Sequence, residues 1–281
     1  MIHFMDLPKE YRTDKSKFSV LPICYEKDLT FGKGTANGPI EILNASKHLE
    51  YFDEQFNCEP FEHGIKTLEP LKIKDLDPES AMNKIKDSIP NNFFVALGGD
   101  HATTIGTLMG LEELQKNKSN FDVIVLDAHP DFFDSWNGSK FNHRCTSKYA
   151  SQNHNVLILG ARSMDIDEAN LINKSENVKM IKSYDLNLES FKKELLNLKK
   201  KVYISIDVDV FDPSFIRNTG TPEPGGFLWD KVINILKLIF DEKEVIASDI
   251  VEFAPVENFT AESYALAKLT HKLFALKAKQ L

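Results

Sequence analysis

The segment LDAHPDFFD, residues 126–134, sets Asp127, His129 and Asp131 at alternating positions directly behind the apolar run FDVIVLD. Three further stretches carry the same residue types: GGDH with His101, SIDVDVFDP with Asp207 and Asp209, and SDIVEF with Glu252. Imidazoles and carboxylates ligate divalent cations, and side chains two apart on extended backbone share a face. Asp127 is therefore expected to pair with His129, and Asp207 with Asp209, each pair aimed into one crevice. Pro130 cannot continue a central ladder, so it should turn the chain and swing Asp131 back. Five carboxylates at a dry strand edge repel one another unless cations lie between them. Four aspartates with two histidines lean towards Mn²⁺ among the ions such ligands suit. Six ligands exceed the needs of one ion that also carries a water. Two metals sharing carboxylates is the better count, roughly 3.5–4 Å apart around a bridging water of lowered pKa.

Each fragment alone has a plainer reading. Asp100 of GGDH can simply cap a helix beginning near Ala102, and DVDVFDP can be a solvated turn. What favours metal is that all of them follow strand-like runs. Those runs are 18–24, 92–99, 121–127, 155–160, 201–207 and 244–252, each short, apolar and β-branched. Between them lie helical stretches at 39–50, 77–89, 102–116, 165–173, 187–200, 228–240 and 261–280, the last with apolar spacing near 3.6 that suits core or interface. The alternation predicts an α/β fold, a parallel sheet sandwiched between helices. Ligands bind beyond the carboxyl ends of such sheets, which is where the six candidate ligands and Glu252 fall.

The 281 residues, 42% hydrophobic and 27% charged, show no repeat and no linker long enough to divide domains, so one domain spanning 1–281 is expected. No apolar run is long enough for a membrane span, and the N-terminus lacks an apolar signal block, which points to the cytoplasm. Cys24, Cys58 and Cys145 are an odd, widely spaced set that reads as free thiols in a reducing compartment, two of them simply buried. The net charge of −8, with no basic cluster, argues against nucleic acid and suits metal ions or a basic small molecule. GKGT at 32–35 lacks the spacing of a phosphate loop.

GGDH (98–101), DAHPD (127–131), SIDVDVFDPSF (205–215), TGTPEPGG (219–226) and SDIVEFAP (248–255) occur in this order, and together they resemble the signature motifs of the ureohydrolases, the arginase and agmatinase family. GKGTANGPIEILNAS (32–46) resembles that family's N-terminal glycine-rich segment, and the similarity spans roughly residues 18–275. The resemblance implies a three-layer α/β/α sandwich with a mostly parallel eight-stranded sheet and two Mn²⁺ per subunit. His101, Asp127, Asp131 and Asp207 would hold one ion; Asp127, His129, Asp207 and Asp209 would hold the other, with Asp127 and Asp207 bridging. It further implies attack of a bridging hydroxide on a guanidinium carbon, with Asp209 orienting the nucleophile and Glu252 pairing with the guanidinium. His143 would serve as general acid or proton shuttle, its plainer alternative being a surface loop histidine. A homo-oligomer, trimer or hexamer, is implied as well.

The substrate expected is a small cationic guanidino compound. Arginases of this family carry Asn two positions after the last Asp of the DxHxD motif, where this chain has Phe133. An aromatic ring cannot serve the polar head of arginine, so agmatine, cleaved to putrescine and urea, is the leading expectation. Glu223 is a candidate partner for its distal amine, with a plain loop carboxylate as the equal alternative. Arg144, beside His143, departs from the agmatinase pattern; it could repel a dication, recruit an acid such as guanidinobutyrate, or point into solvent. A histone-deacetylase-like mononuclear zinc site is disfavoured by the paired motifs, and a non-catalytic relative by the complete ligand set.

Overall fold

Valine, isoleucine, leucine and phenylalanine fill both faces of the expected runs, so those runs become strands with neither face in water. The computed structural model describes residues 2–28, 30–115 and 120–281. Its strands are β1 (Phe18–Cys24), β2 (Ile65–Thr67), β3 (Leu71–Lys72), β4 (Phe93–Leu97), β5 (Asp122–Leu126), β6 (Val156–Leu159), β7 (Val178–Ile181), β8 (Lys201–Asp207) and β9 (Glu244–Val251). Eight of them run in the order β2-β1-β4-β9-β8-β5-β6-β7, β3 pairs with β1, and all these pairings are parallel. The eight-stranded expectation is met by the main path, with β3 as an added ninth. β2 and β3 went unpredicted because two or three residues carry too little pattern, and β7 because VKMI is interrupted by the exposed Lys179, whereas β6 of equal length is apolar and buried throughout.

The helices are α1 (Gly38–Ser46), α2 (Pro78–Lys86), α3 (Thr103–Leu114), α4 (Thr146–Ala150), α5 (Ile166–Lys174), α6 (Leu188–Asn197), α7 (Trp229–Glu242) and α8 (Ala261–Ala278). The expected end of α3 at residue 116 lies outside the described residues. Successive strand residues feed opposite cores: Ile124 and Leu126 join Leu43, Phe191, Ile235 and Leu273, whereas Val123 and Val125 join Met82, Leu108, Ala150 and Ile172. Helices α1, α6, α7 and α8 thus cover one face, and α2 to α5 the other. The C-terminal helix is core: residues 269–276 are all buried within the chain. No helix among the described residues is long and apolar enough to cross a membrane. The three cysteines are free thiols, Cys24 and Cys145 buried and Cys58 half-buried.

One buried ion pair fastens α8 to the loop after α1. Lys272 Nζ lies 3.0 Å from Asp53 Oδ1 and 3.3 Å from Glu54 Oε1, and Asp53 also accepts the Phe56 N–H at 2.9 Å. Asp53 and Lys272 are almost fully buried. Asp53→Ala leaves the buried Lys272 with only the exposed Glu54 as counter-charge and frees the Phe56 N–H, so a loss of about 3 kcal/mol of stability is expected. Urea unfolding should show a lowered midpoint with an unchanged slope.

Candidate metal centre and cavity

The four strands that carry the candidate residues are consecutive neighbours at the middle of the sheet: β4, β9, β8, β5. Their carboxyl ends are in register, with Leu97 opposite Ile250, Ile250 opposite Ile206, and Ile206 opposite Leu126. His101, Glu252, the Asp207–Asp209 turn and the Asp127–Asp131 turn therefore emerge side by side.

Local chemistry turns each segment inward. Gly99 passes so close to β1 that a Cβ there would lie 1.7 Å from the Tyr25 carbonyl oxygen, which only glycine tolerates. Asp100 accepts the N–H groups of Ala102 at 3.0 Å and Lys27 at 2.7 Å; it holds the turn before α3 and is not its cap, since the N-cap position is Ala102. Asp207 ends β8, and the next three residues form a 3-10 turn in which Asp209 N–H donates to Asp207 Oδ1 at 2.9 Å. His129 N–H donates to Asp127 Oδ1 at 2.6 Å, and Ala128 N–H to Asp209 Oδ1 at 2.9 Å. The expected sharing of a strand face is thus corrected. Each pair converges through a turn whose free N–H groups find the carboxylates, because the ladder ends at Leu126 and Asp207. Asp131, behind Pro130, has φ +48°, and Glu252 has φ +65°; both are left-handed conformations uncommon for residues with side chains and concentrated at functional sites.

His101 Nδ1 lies 3.1 Å from Asp127 Oδ2, 3.0 Å from Asp131 Oδ2 and 3.3 Å from Asp207 Oδ2. Its other nitrogen, Nε2, is 3.0 Å from Ser205 Oγ, whose single proton goes to Asp249 Oδ1 at 2.7 Å. The hydrogen-bond network therefore places one ring proton on Nε2 and turns Nδ1 to the three carboxylates, which, against the opposing effect of burial, hold the imidazole well above its usual range. Nδ1 and Asp127 Oδ2 are buried with no hydrogen-bond partner among the described residues. Acceptors gathered around an absent donor fit a divalent cation. His101, Asp127 and Asp207 offer ligand atoms within 4.8 Å of one another, and so do Asp127, His129 and Asp209; Asp127 belongs to both groups, Asp207 to the first alone. His129 Nδ1 is 2.9 Å from Asp209 Oδ2. Burial pushes the Asp131 carboxyl up to about 6, with Asp127 adding to it, and burial with Asp209 and Asp127 raises Asp207 further. Burial opposes a charged His129, yet Asp209 and Asp127 overcome it and lift the imidazole to about 12. Burial thus dominates the two aspartates, and the neighbouring carboxylates account for the shift of His129.

Above these residues opens a cavity of about 320 Å³ whose lining includes His129, His143, Arg144, Glu168, Glu223 and Glu252. Glu252 is buried and spends Oε1 on the His101 N–H at 2.7 Å. Burial first, and Asp100 second, push its carboxyl well above the usual range. His143 sits in a short 3-10 turn before α4, its Nε2 3.0 Å from Thr30 Oγ1 and its Nδ1 buried without a partner among the described residues. Burial, then the His101 and Arg144 charges, lower it to about 4. The surface-loop alternative for His143 is thereby excluded. Glu223 lines the cavity with Oε1 4.0 Å from His129 Nε2. Arg144 does not point into solvent: it pairs with Asp165 at 2.9 Å and stacks 3.9 Å over the Trp136 ring.

Several contributors went unread in the sequence. Asp249 Oδ2 accepts from Thr104 Oγ1 at 2.6 Å and from the Tyr203 hydroxyl, while Oδ1 holds Ser205, and so fixes the ring orientation of His101. Arg162 reaches five carbonyls, those of Gly160, Asp209, Phe211, Glu223 and Pro224, and ties the Glu223 loop to the Asp209 turn. The only sequence signal was a carboxylate, Asp249, inside an apolar strand. Ser205→Ala breaks the contact to His101 Nε2 and is expected to weaken Mn²⁺ binding by about 10–100-fold, the usual cost of such outer partners. Metal titration followed by calorimetry reads this directly.

A three-layer α/β/α sheet with carboxylates and imidazoles gathered at its carboxyl edge places the candidate site where such folds bind ligands, with donors suited to divalent cations. The chain belongs to the arginase family, whose model matches residues 16–275. It is 32% identical over 274 residues to N(1)-aminopropylagmatine ureohydrolase of Synechocystis, covering 90% of this chain and 87% of that protein. It is 29% identical to agmatinase of Pyrococcus horikoshii, covering 98% of this chain and 96% of the relative. The crystal structure of agmatine ureohydrolase of Thermoplasma volcanium superposes with a TM-score of 0.87 at 24% identity, covering 99% of this chain and 95% of that one.

Proposed function

We propose that this chain, as one ureohydrolase domain, cleaves the guanidino group of agmatine to urea and putrescine. The observation that carries the reading is His101 Nδ1 within 3.3 Å of three carboxylates beneath a cavity that also holds the buried carboxylate of Glu252. His101, Asp127, Asp131 and Asp207 would hold one Mn²⁺, and Asp127, His129, Asp207 and Asp209 the second. When bound, the metal pair supplies the Lewis acidity that makes water a nucleophile at neutral pH. Asp209, its Oδ2 2.9 Å from His129 Nδ1 and its Oδ1 accepting the Ala128 N–H at 2.9 Å, would orient the nucleophile. With Oε1 committed to His101 N–H, Glu252 has Oε2 left to accept guanidinium N–H groups, beside Gly220, whose lack of a side chain keeps the approach open. The guanidinium supplies the counter-charge that makes Glu252 anionic despite its burial. His143 is held neutral, so its unpartnered Nδ1 would take up the proton that the attacking water gives up and pass it to the departing amine.

Arginine is disfavoured by the absence of Asn at Phe133. The relatives named for N(1)-aminopropylagmatine make that longer compound the second reading. Guanidinobutyrate loses its rationale, because the Arg144 charge that could have recruited an acid is already paired. The test is urea release from agmatine, arginine, guanidinobutyrate and N(1)-aminopropylagmatine by Mn²⁺-loaded protein. Preferential turnover of agmatine is expected; preferential turnover of arginine or guanidinobutyrate overturns the substrate reading, and silence on all four overturns the enzyme reading.

A further inference from the structure

The outer wall of the cavity contains a cation of the protein's own. Arg144, Asp165 and Glu168 all line it. The Arg144 NH2 group lies 2.9 Å from Asp165 Oδ2 and 3.8 Å from Glu168 Oε2, and the guanidinium carbon stands 3.9 Å above the Trp136 ring and 4.6 Å from the Phe133 ring centre. The same two acids form the reciprocal cap of α5: Glu168 Oε2 accepts the Asp165 N–H at 3.2 Å, while its Oε1 accepts the Phe132 N–H at 2.9 Å. Both carboxylates are therefore fixed in place by backbone, and Glu168 is only 2% exposed. Phe133, which stands where arginases carry Asn, also supports this arrangement, since its ring is one of two aromatic surfaces on which the Arg144 guanidinium rests.

We propose that Arg144 is a specificity-determining residue, a tethered cation that fills the acidic subsite of Asp165 and Glu168 and thereby limits the enzyme to guanidino substrates with a short, singly charged tail. The proposal rests on the guanidino reading of the cavity. A planar guanidinium stacked on two rings and paired with a fixed carboxylate loses little freedom in staying there. Because it is attached, its effective concentration far exceeds that of a free ligand, and an incoming ammonium must displace it. Without Arg144, Asp165 and Glu168 would face the cavity uncompensated, which favours cations there.

The experiment compares wild type, R144A and R144Q, all Mn²⁺-loaded and checked for native circular dichroism. R144Q keeps a planar group on the rings and serves if R144A does not fold. Urea release gives kcat/KM for agmatine and N(1)-aminopropylagmatine, and calorimetry gives the affinities for putrescine and spermidine, the corresponding amines without the guanidino carbon. The wild type should favour agmatine. Loss of the charge should raise the ratio of the longer to the shorter substrate at least about tenfold, and spermidine should bind about tenfold more tightly. A wild-type preference for N(1)-aminopropylagmatine, or an unchanged ratio in a variant that turns over both, overturns the proposal. If no protein releases urea from either compound, the guanidino reading fails and calorimetry decides alone: tighter spermidine binding in R144A supports the subsite, unchanged binding rejects it.

Discussion

Asp127→Ala is expected to empty the centre of metal and reduce urea release by at least about 10³-fold. Asp127 is the one carboxylate common to both candidate ligand groups, and its Oδ2 faces His101 Nδ1 while Oδ1 faces the His129 side. Lewis-acid stabilisation of developing charge is worth several kcal/mol, and each 1.36 kcal/mol is a factor of ten in rate. Loss of a bridging ligand removes that contribution from both ions at once. The readout is metal content after dialysis, alongside turnover. Alanine protein that still binds two Mn²⁺ per chain would sink the ligand map. Native circular dichroism is the control, because Asp127 also pairs with His101 and His129.

His143→Ala should behave differently: full metal content with turnover lowered by about 10²–10⁴. No candidate ligand depends on the His143 side chain, whose one hydrogen-bond contact among the described residues is Thr30 Oγ1. The loss should fall on kcat, since the imidazole acts on the departing amine and not on the resting guanidinium. A fall in KM-dependent binding with kcat intact would assign His143 to substrate recognition instead. Thr30→Val is a useful companion, because it removes the hydroxyl partner of Nε2 at constant shape and should produce a smaller kcat loss if that contact orients the ring.

Much of the fold was readable because buried parallel strands are apolar on both faces and their helices carry the longer period. The six long strands and seven long helices were found within a few residues of their ends. The misses are short or broken in pattern. β2, β3 and α4 have three, two and five residues, β2 and β3 pairing with the long strand β1, and β7 is an edge strand with an exposed lysine, unlike the equally short but wholly buried β6. The helix 261–280 shows a different limit: its 3.6 period was visible, but its burial on nearly every side, with Asp53 holding Lys272, depends on the loop after α1.

The candidate site divides in the same way. Residue type and position behind apolar runs determined the set of acids and imidazoles, the expectation of two cations, and the family, since those properties are local to each motif. Strand order is not local. That His101, Glu252, Asp207 and Asp127 stand side by side follows from β4, β9, β8 and β5 being adjacent, a result of packing two helical layers against one sheet. The tertiary structure alone also decided that the ligand pairs close through turns, that Asp249 aims His101 through Ser205, and that the charge of Arg144 is paired with Asp165. The physical reason is common to all of these: a hydrogen bond or ion pair depends on which groups meet in space, and contacts between segments tens of residues apart leave no periodic trace in either one.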